Sequence, residues 1–154
     1  MLHEILPEEI ASTRQQISAL QHAITICRDA SMTYRAAARL PSRHREELMV
    51  MARRRSSFAQ ALSSFLRYPL DGNRTGSLVD RSRRWLFAAR ARLVGQTHLG
   101  DSLVTCFRMD DRASRALSAA LELDWAVEVS SMLTTQRAEI DVTIERMRSL
   151  RGHL

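Results

Sequence analysis

Lysine is absent from the 154 residues, and glycine, proline, cysteine and aromatic side chains are scarce. With 5 glycines and 3 prolines, few positions can interrupt a helix. No β-branched or aromatic run of strand length stands between turn signals, so no sheet is expected. Two cysteines, Cys27 and Cys106, are too few for a disulfide framework or a zinc set. No stretch approaches the roughly 18 apolar residues of a membrane span. Met1 to Ile10 lacks the basic region and apolar run of a secretory leader, so a cytoplasmic chain with no membrane partner is the expectation. Also missing are a glycine-rich phosphate loop, a nucleophile elbow and any Ser/His/Asp spacing that suggests a triad. No catalytic residue, small-molecule substrate or cofactor follows from the sequence, and an enzyme is not the leading expectation.

What is present is a globular balance of 45% hydrophobic and 26% charged residues, in a length suited to one domain with one core. The net charge of +6 is carried entirely by arginine. Arginine pairs bidentately with phosphate, so an anion or nucleic-acid binder using Arg43, Arg45, Arg53, Arg54, Arg81, Arg83 and Arg84 is an alternative. The arginines are spread along every helix and mixed with acids, as on a solvated surface, so nucleic acid is not the expected partner.

Apolar residues recur at helical spacing in four long stretches. Pro7 with Glu8 and Glu9 reads as a helix start, leading into Ile10, Thr13, Ile17, Leu20, Ile24, Cys27, Ser31, Tyr34 and Ala38 on one face. Ser42 is the expected cap of a second helix with Leu48, Met51, Arg55, Phe58, Leu62 and Phe65, stopped by Pro69. After the turn signals of Asp71 to Ser77, a shorter helix from Leu78 to Val94 presents Leu78, Ser82, Trp85, Ala89 and Leu93. Gly95 ends it, and Gln96 to Gly100 reads as loop. Asp101 is the expected cap of a third long helix with Leu103, Phe107, Asp110, Ser114, Leu117 and Leu121. A tight connection near Glu122 to Asp124 leads to a fourth, with Trp125, Val129, Met132, Gln136, Ile140, Thr143, Met147 and Leu150.

These elements predict an all-α, antiparallel four-helix bundle in one domain, 1–154. A hairpin over 7–68 and another over 101–150 are joined by a long crossover, 69–100, carrying a fifth, shorter helix. Thr25, Arg28, Arg35 and Ala36 recur at the same mutual spacing as Thr105, Arg108, Arg115 and Ala116, as if the hairpins were copies.

Each stripe has a polar break near its midpoint: Ser31, Arg55, Asp110 and Gln136. A buried carboxylate must be paired, protonated or metal-bound. A di-metal carboxylate site wants glutamates from two helices and Glu-x-x-His from the other two. The weak metal candidates are Asp29, Asp110 and Glu139, but no Glu-x-x-His occurs. His3, His22, His44, His98 and His153 stand at helix starts, in loops, at the tail or off the core stripe. An arginine in the layer would also repel a cation. The expectation is therefore a structural polar layer in which Arg55 neutralises Asp110 and Gln136 completes the hydrogen bonds, with no metal bound. Cys27 and Cys106 occupy near-equivalent places in the two hairpins and are expected as buried thiols, with a disulfide as the alternative.

Asp29, Tyr34 with Ala37-Ala38, Phe58-Ala59 with Leu62, Gly76-Ser77, Arg84-Trp85-Leu86, and Cys106 with Asp110-Asp111 together form a pattern covering roughly Ala23 to Leu150. In it the chain resembles the uncharacterised bacterial four-helix-bundle proteins placed among ferritin-like folds, a group that includes stress-associated proteins. The resemblance implies a ferritin-like fold and dimerisation more than an activity. This chain departs from the family pattern with Ala30 and Thr33 where small glycines are frequent, Ala61 for a glutamate and Ile144 for a histidine. If those family residues bind metal, most of them are lost here. The apolar face of the crossover helix, with Trp85, Leu78 and Leu93, is the expected homodimer interface.

Overall fold

The computed structural model describes residues 13–66 and 99–152. Within them lie four α-helices and no strand: α1 (Arg14–Ala37), α2 (Arg45–Ser63), α3 (Leu99–Leu121) and α4 (Val127–Gly152). The expected fifth helix, and with it the interface residues Trp85, Leu78 and Leu93, lies outside the described residues. No helix among the described residues is long and apolar enough to cross a membrane.

The helix starts differ from those expected, for local reasons. Thr13, expected on the buried stripe of the first helix, is exposed. It stands in extended conformation (φ −86°, ψ 150°) as the N-cap of α1. Its hydroxyl accepts from the Gln16 N–H at 3.1 Å, while the Gln16 side chain accepts from the Thr13 N–H at 3.2 Å. This reciprocal capping box fixes the helix start at Arg14. Ser42 does not cap α2: its hydroxyl accepts from the His44 N–H at 2.9 Å, and His44 is the N-cap without a side-chain bond. Asp101 lies inside the first turn of α3, where its charge complements the helix dipole, and Leu99 and Gly100 are helical instead of loop. Trp125 precedes α4 and donates its indole N–H to the Ala120 carbonyl at 2.7 Å, closing the end of α3. The Gln16 amide donates to the carbonyl of Asp124, tying that turn to the first turn of α1.

Bonds between helices set their directions. Ser31 reaches the Ala52 carbonyl, Tyr34 reaches Asp110, Ser114 reaches Asp141, and Gln136 reaches the Phe58 carbonyl. Together with the Gln16–Asp124 and Glu47–Arg146 contacts, these make each neighbouring pair antiparallel. α1 packs against α2 and α3, and α3 packs against α4. A thin seam between α2 and α4 closes the ring. The diagonal partners α2 and α3 therefore run in the same direction, as in bundles whose two hairpins are joined by a long connection.

The core falls into two apolar clusters. One gathers Leu20, Ile24, Leu62, Leu117, Leu133 and Ile140, with Cys27, at the end where the α3–α4 turn lies. The other gathers Tyr34, Leu48, Met51, Leu103, Cys106 and Met147 towards the α1–α2 turn. The polar layer sits between them.

Candidate functional site

Helical periodicity brings one polar side chain of each stripe to the bundle interior, and none of the four is solvated. Ser31 is 2%, Arg55 0%, Asp110 0% and Gln136 3% exposed. Arg55 of α2 and Asp110 of α3 face each other across the bundle diagonal. The guanidinium donates from Nε to Asp110 Oδ1 at 2.7 Å and from Nη2 to Oδ2 at 2.8 Å. This parallel two-point pairing is the strong geometry available to arginine and carboxylate. The Tyr34 hydroxyl donates to the same Oδ2. Tyr34 and Phe58 flank the guanidinium, with its central carbon 5.9 Å and 5.5 Å from their ring centres.

Ser31 and Gln136 do not join this core directly. The Ser31 hydroxyl donates to the Ala52 carbonyl at 2.7 Å, three residues before Arg55. The Gln136 amide does not complete the Asp110 bonds as expected; its Nε2 donates to the Phe58 carbonyl at 3.5 Å. Tyr34 fills the role expected of Gln136. A buried phenol needs a hydrogen-bond partner, and its place in the α1 stripe was the signal for this.

Electrostatics favours the charged form of Arg55 and the protonated form of Tyr34. Burial alone would lower the Arg55 pKa, but the hydrogen bonds and charge of Asp110 outweigh it and raise it. Burial, then the Asp110 charge, pushes the Tyr34 phenol well above its ordinary range, so it remains a donor. Cys27 and Cys106 are free, buried thiols in separate core clusters. Burial pushes Cys27 up to about 12, with Arg55 partly offsetting it. Burial and the Asp110 charge raise Cys106 as well. The thiolate is the reactive species, so both cysteines are chemically quiet at neutral pH.

The candidate metal ligands do not converge. Asp110 is fully buried, Asp29 is half-buried on α1, and Glu139 is exposed on α4. Both Asp110 oxygens are occupied by Arg55, and one also by Tyr34. Among the described residues, no group of three or more His, Cys, Asp or Glu side chains gathers as metal ligands would. Ala61 is half-buried and Ile144 is 8% exposed, so neither position offers a metal-binding side chain.

Of the arginines considered for an anionic ligand, Arg43, Arg45, Arg53 and Arg54 are exposed on α2 and the turn before it. Arg81, Arg83 and Arg84 lie outside the described residues. One cross-link had no local signal in the sequence. Arg146 of α4 donates to Glu47 of α2 at 2.7 Å, and His44 lies 3.7 Å from the same carboxylate. Comparison with protein-family models, curated proteins and solved structures finds no match to this chain.

Proposed function

We propose that the chain is a non-catalytic, ferritin-like helical bundle of the bacterial cytoplasm that acts by association, as a homodimer. The observation that carries this reading is the use made of Asp110. It is the one fully buried carboxylate among the described residues, and its oxygens are taken by Arg55 and Tyr34. A cation placed there would meet a guanidinium that is itself fully buried. The site resembles a metal-bearing layer refilled with an internal ion pair, with arginine supplying the charge that a metal would otherwise bring. Raised thiol and phenol pKa values also support an inert interior. The link to stress responses rests on the family resemblance and is a fold-level analogy.

Two measurements on the purified full chain test the reading. Sedimentation equilibrium at micromolar concentration is expected to give a dimer, and elemental analysis to give no stoichiometric iron or manganese. A monomer would refute self-association. Stoichiometric metal would refute the non-catalytic assignment and point to a di-metal protein.

A further inference from the structure

We infer that the bundle core binds one ordered water molecule between α2 and α4, held by Arg55 and Gln136. Arg55 spends Nε and Nη2 on Asp110, and its buried Nη1 has no hydrogen-bond partner. Gln136 spends Nε2 on the Phe58 carbonyl, and its buried Oε1 has none either. Protein interiors rarely leave such atoms unsatisfied, because the desolvation cost of each is then uncompensated. The two atoms are complementary, since Nη1 can only donate and Oε1 can only accept.

Both side chains also close on the same residue. The guanidinium lies 5.5 Å from the Phe58 ring centre, and the Gln136 amide reaches the Phe58 backbone carbonyl. The antiparallel register of α2 and α4 thus brings the unmatched donor and acceptor to one level of the bundle. A molecule serving both must accept from the guanidinium and donate to the amide oxygen.

Charge decides its class. Arg55 and Asp110 already neutralise each other, so an anion would add an unpaired charge beside Asp110 and the Gln136 oxygen. A cation would face the guanidinium. A neutral donor–acceptor is left, and between packed helices the smallest one is water, which settles in cores where two to four polar groups meet. With this water the layer becomes continuous across four helices, from Tyr34 of α1 through Asp110, Arg55 and the water to Gln136 of α4.

A high-resolution crystal structure of the full chain tests the inference directly. One solvent peak within hydrogen-bonding distance of both Arg55 Nη1 and Gln136 Oε1 is expected. A direct Arg55–Gln136 bond, or no peak at that position, would overturn it. Oxygen-17 magnetic relaxation dispersion tests it in solution, with water itself as the probe. The wild-type chain should show at least one long-lived water, and Gln136→Leu should show one fewer per chain. Absence of any long-lived water in the wild type would refute the site, and this holds whether or not the variant folds. Equal amplitudes in wild type and a folded Gln136→Leu chain would refute it too.

Discussion

Where α1 meets α3 the buried residues are small, whereas α2 and α4 are joined by polar side chains. On α1, Ala23, Cys27, Ala30 and Ala37 share the face that carries Tyr34, by the three- and four-residue spacing of a helix. Ala113, Ala116 and Ala120 are buried on α3. Small side chains let the two backbones approach closely along their length. On the opposite side, α2 and α4 come close at few places. Gln136 there holds the Phe58 carbonyl and Arg146 holds Glu47. Outside that seam runs a groove lined by Arg54, Thr134, Thr135, Ala138, Glu139 and Val142, with Val142 70% exposed. Small buried side chains dominate the α1–α3 side, with the Tyr34–Asp110 and Gln16–Asp124 bonds across it, whereas the α2–α4 side is a thin seam held by polar side chains, and the Arg55–Asp110 pair spans the diagonal between them.

Breaking that diagonal should have the largest effect. Asp110→Ala leaves a fully buried guanidinium without its counter-ion, and Arg55→Met leaves the carboxylate alone. Each single change should cost about 3–5 kcal/mol in urea denaturation, the typical cost of an unpaired buried charge. That is a large share of the roughly 5–15 kcal/mol that holds a domain folded. The double variant Arg55→Met/Asp110→Leu should recover most of the loss, because the gain from a buried pair is largely spent on desolvation. Single variants within about 1 kcal/mol of wild type would show that the pair is solvated in the native state.

Alkali should sharpen the contrast between the two sides, since Cys27, Cys106 and Tyr34 all sit on α1 and α3. Their folded pKa values are raised, so the native state keeps protons that the unfolded chain releases. That stability is fully present below the unfolded thiol value of 9.0 and is lost as pH climbs towards about 12, where native Cys27 itself ionises. The slope is about 1.4 kcal/mol per pH unit for each such group. Denaturation midpoints at pH 8 and pH 10 should therefore fall further in wild type than in Cys27→Ala/Cys106→Ala. Equal falls would place the alkaline sensitivity elsewhere.

The stripes and the Arg55–Asp110 pairing were legible in the sequence because a helix repeats its inward face at fixed spacing. A polar residue at such a position has to find a partner across the core. The helix starts were less legible. Thr13 fits the apolar period closely enough to hide its role, although Thr13 followed three residues later by Gln16 is a capping-box pattern. Asp101 and Ser42 are both good capping residues by type, yet neither serves as the N-cap. Gln136 was placed correctly in depth but not in partner. Periodicity fixes which way a residue faces and leaves open which of several nearby carbonyls it meets. The Glu47–Arg146 contact joins residues 99 positions apart, and no local pattern encodes it.

The smallest effect tests the comparison most sharply, because it contrasts one substitution at two sites. Ala113 is fully buried on α3, in the cluster that holds Ala23 and Cys27, so Ala113→Leu forces extra volume into the packed core. Overpacking of this kind costs about 1–3 kcal/mol. Ala138 is exposed and lines the open groove beside α2, so Ala138→Leu has space and should stay within about 0.5 kcal/mol of wild type. Both replace alanine by leucine within a helix, which makes the propensity change nearly the same and leaves packing as the difference. Denaturant titration of the two variants side by side reads it. If Ala113→Leu is as mild as Ala138→Leu, the core around Ala113 is not closely packed. If Ala138→Leu is the more damaging, the outer groove of α4 is packed against something in solution, and a second copy of the chain becomes the first occupant to test.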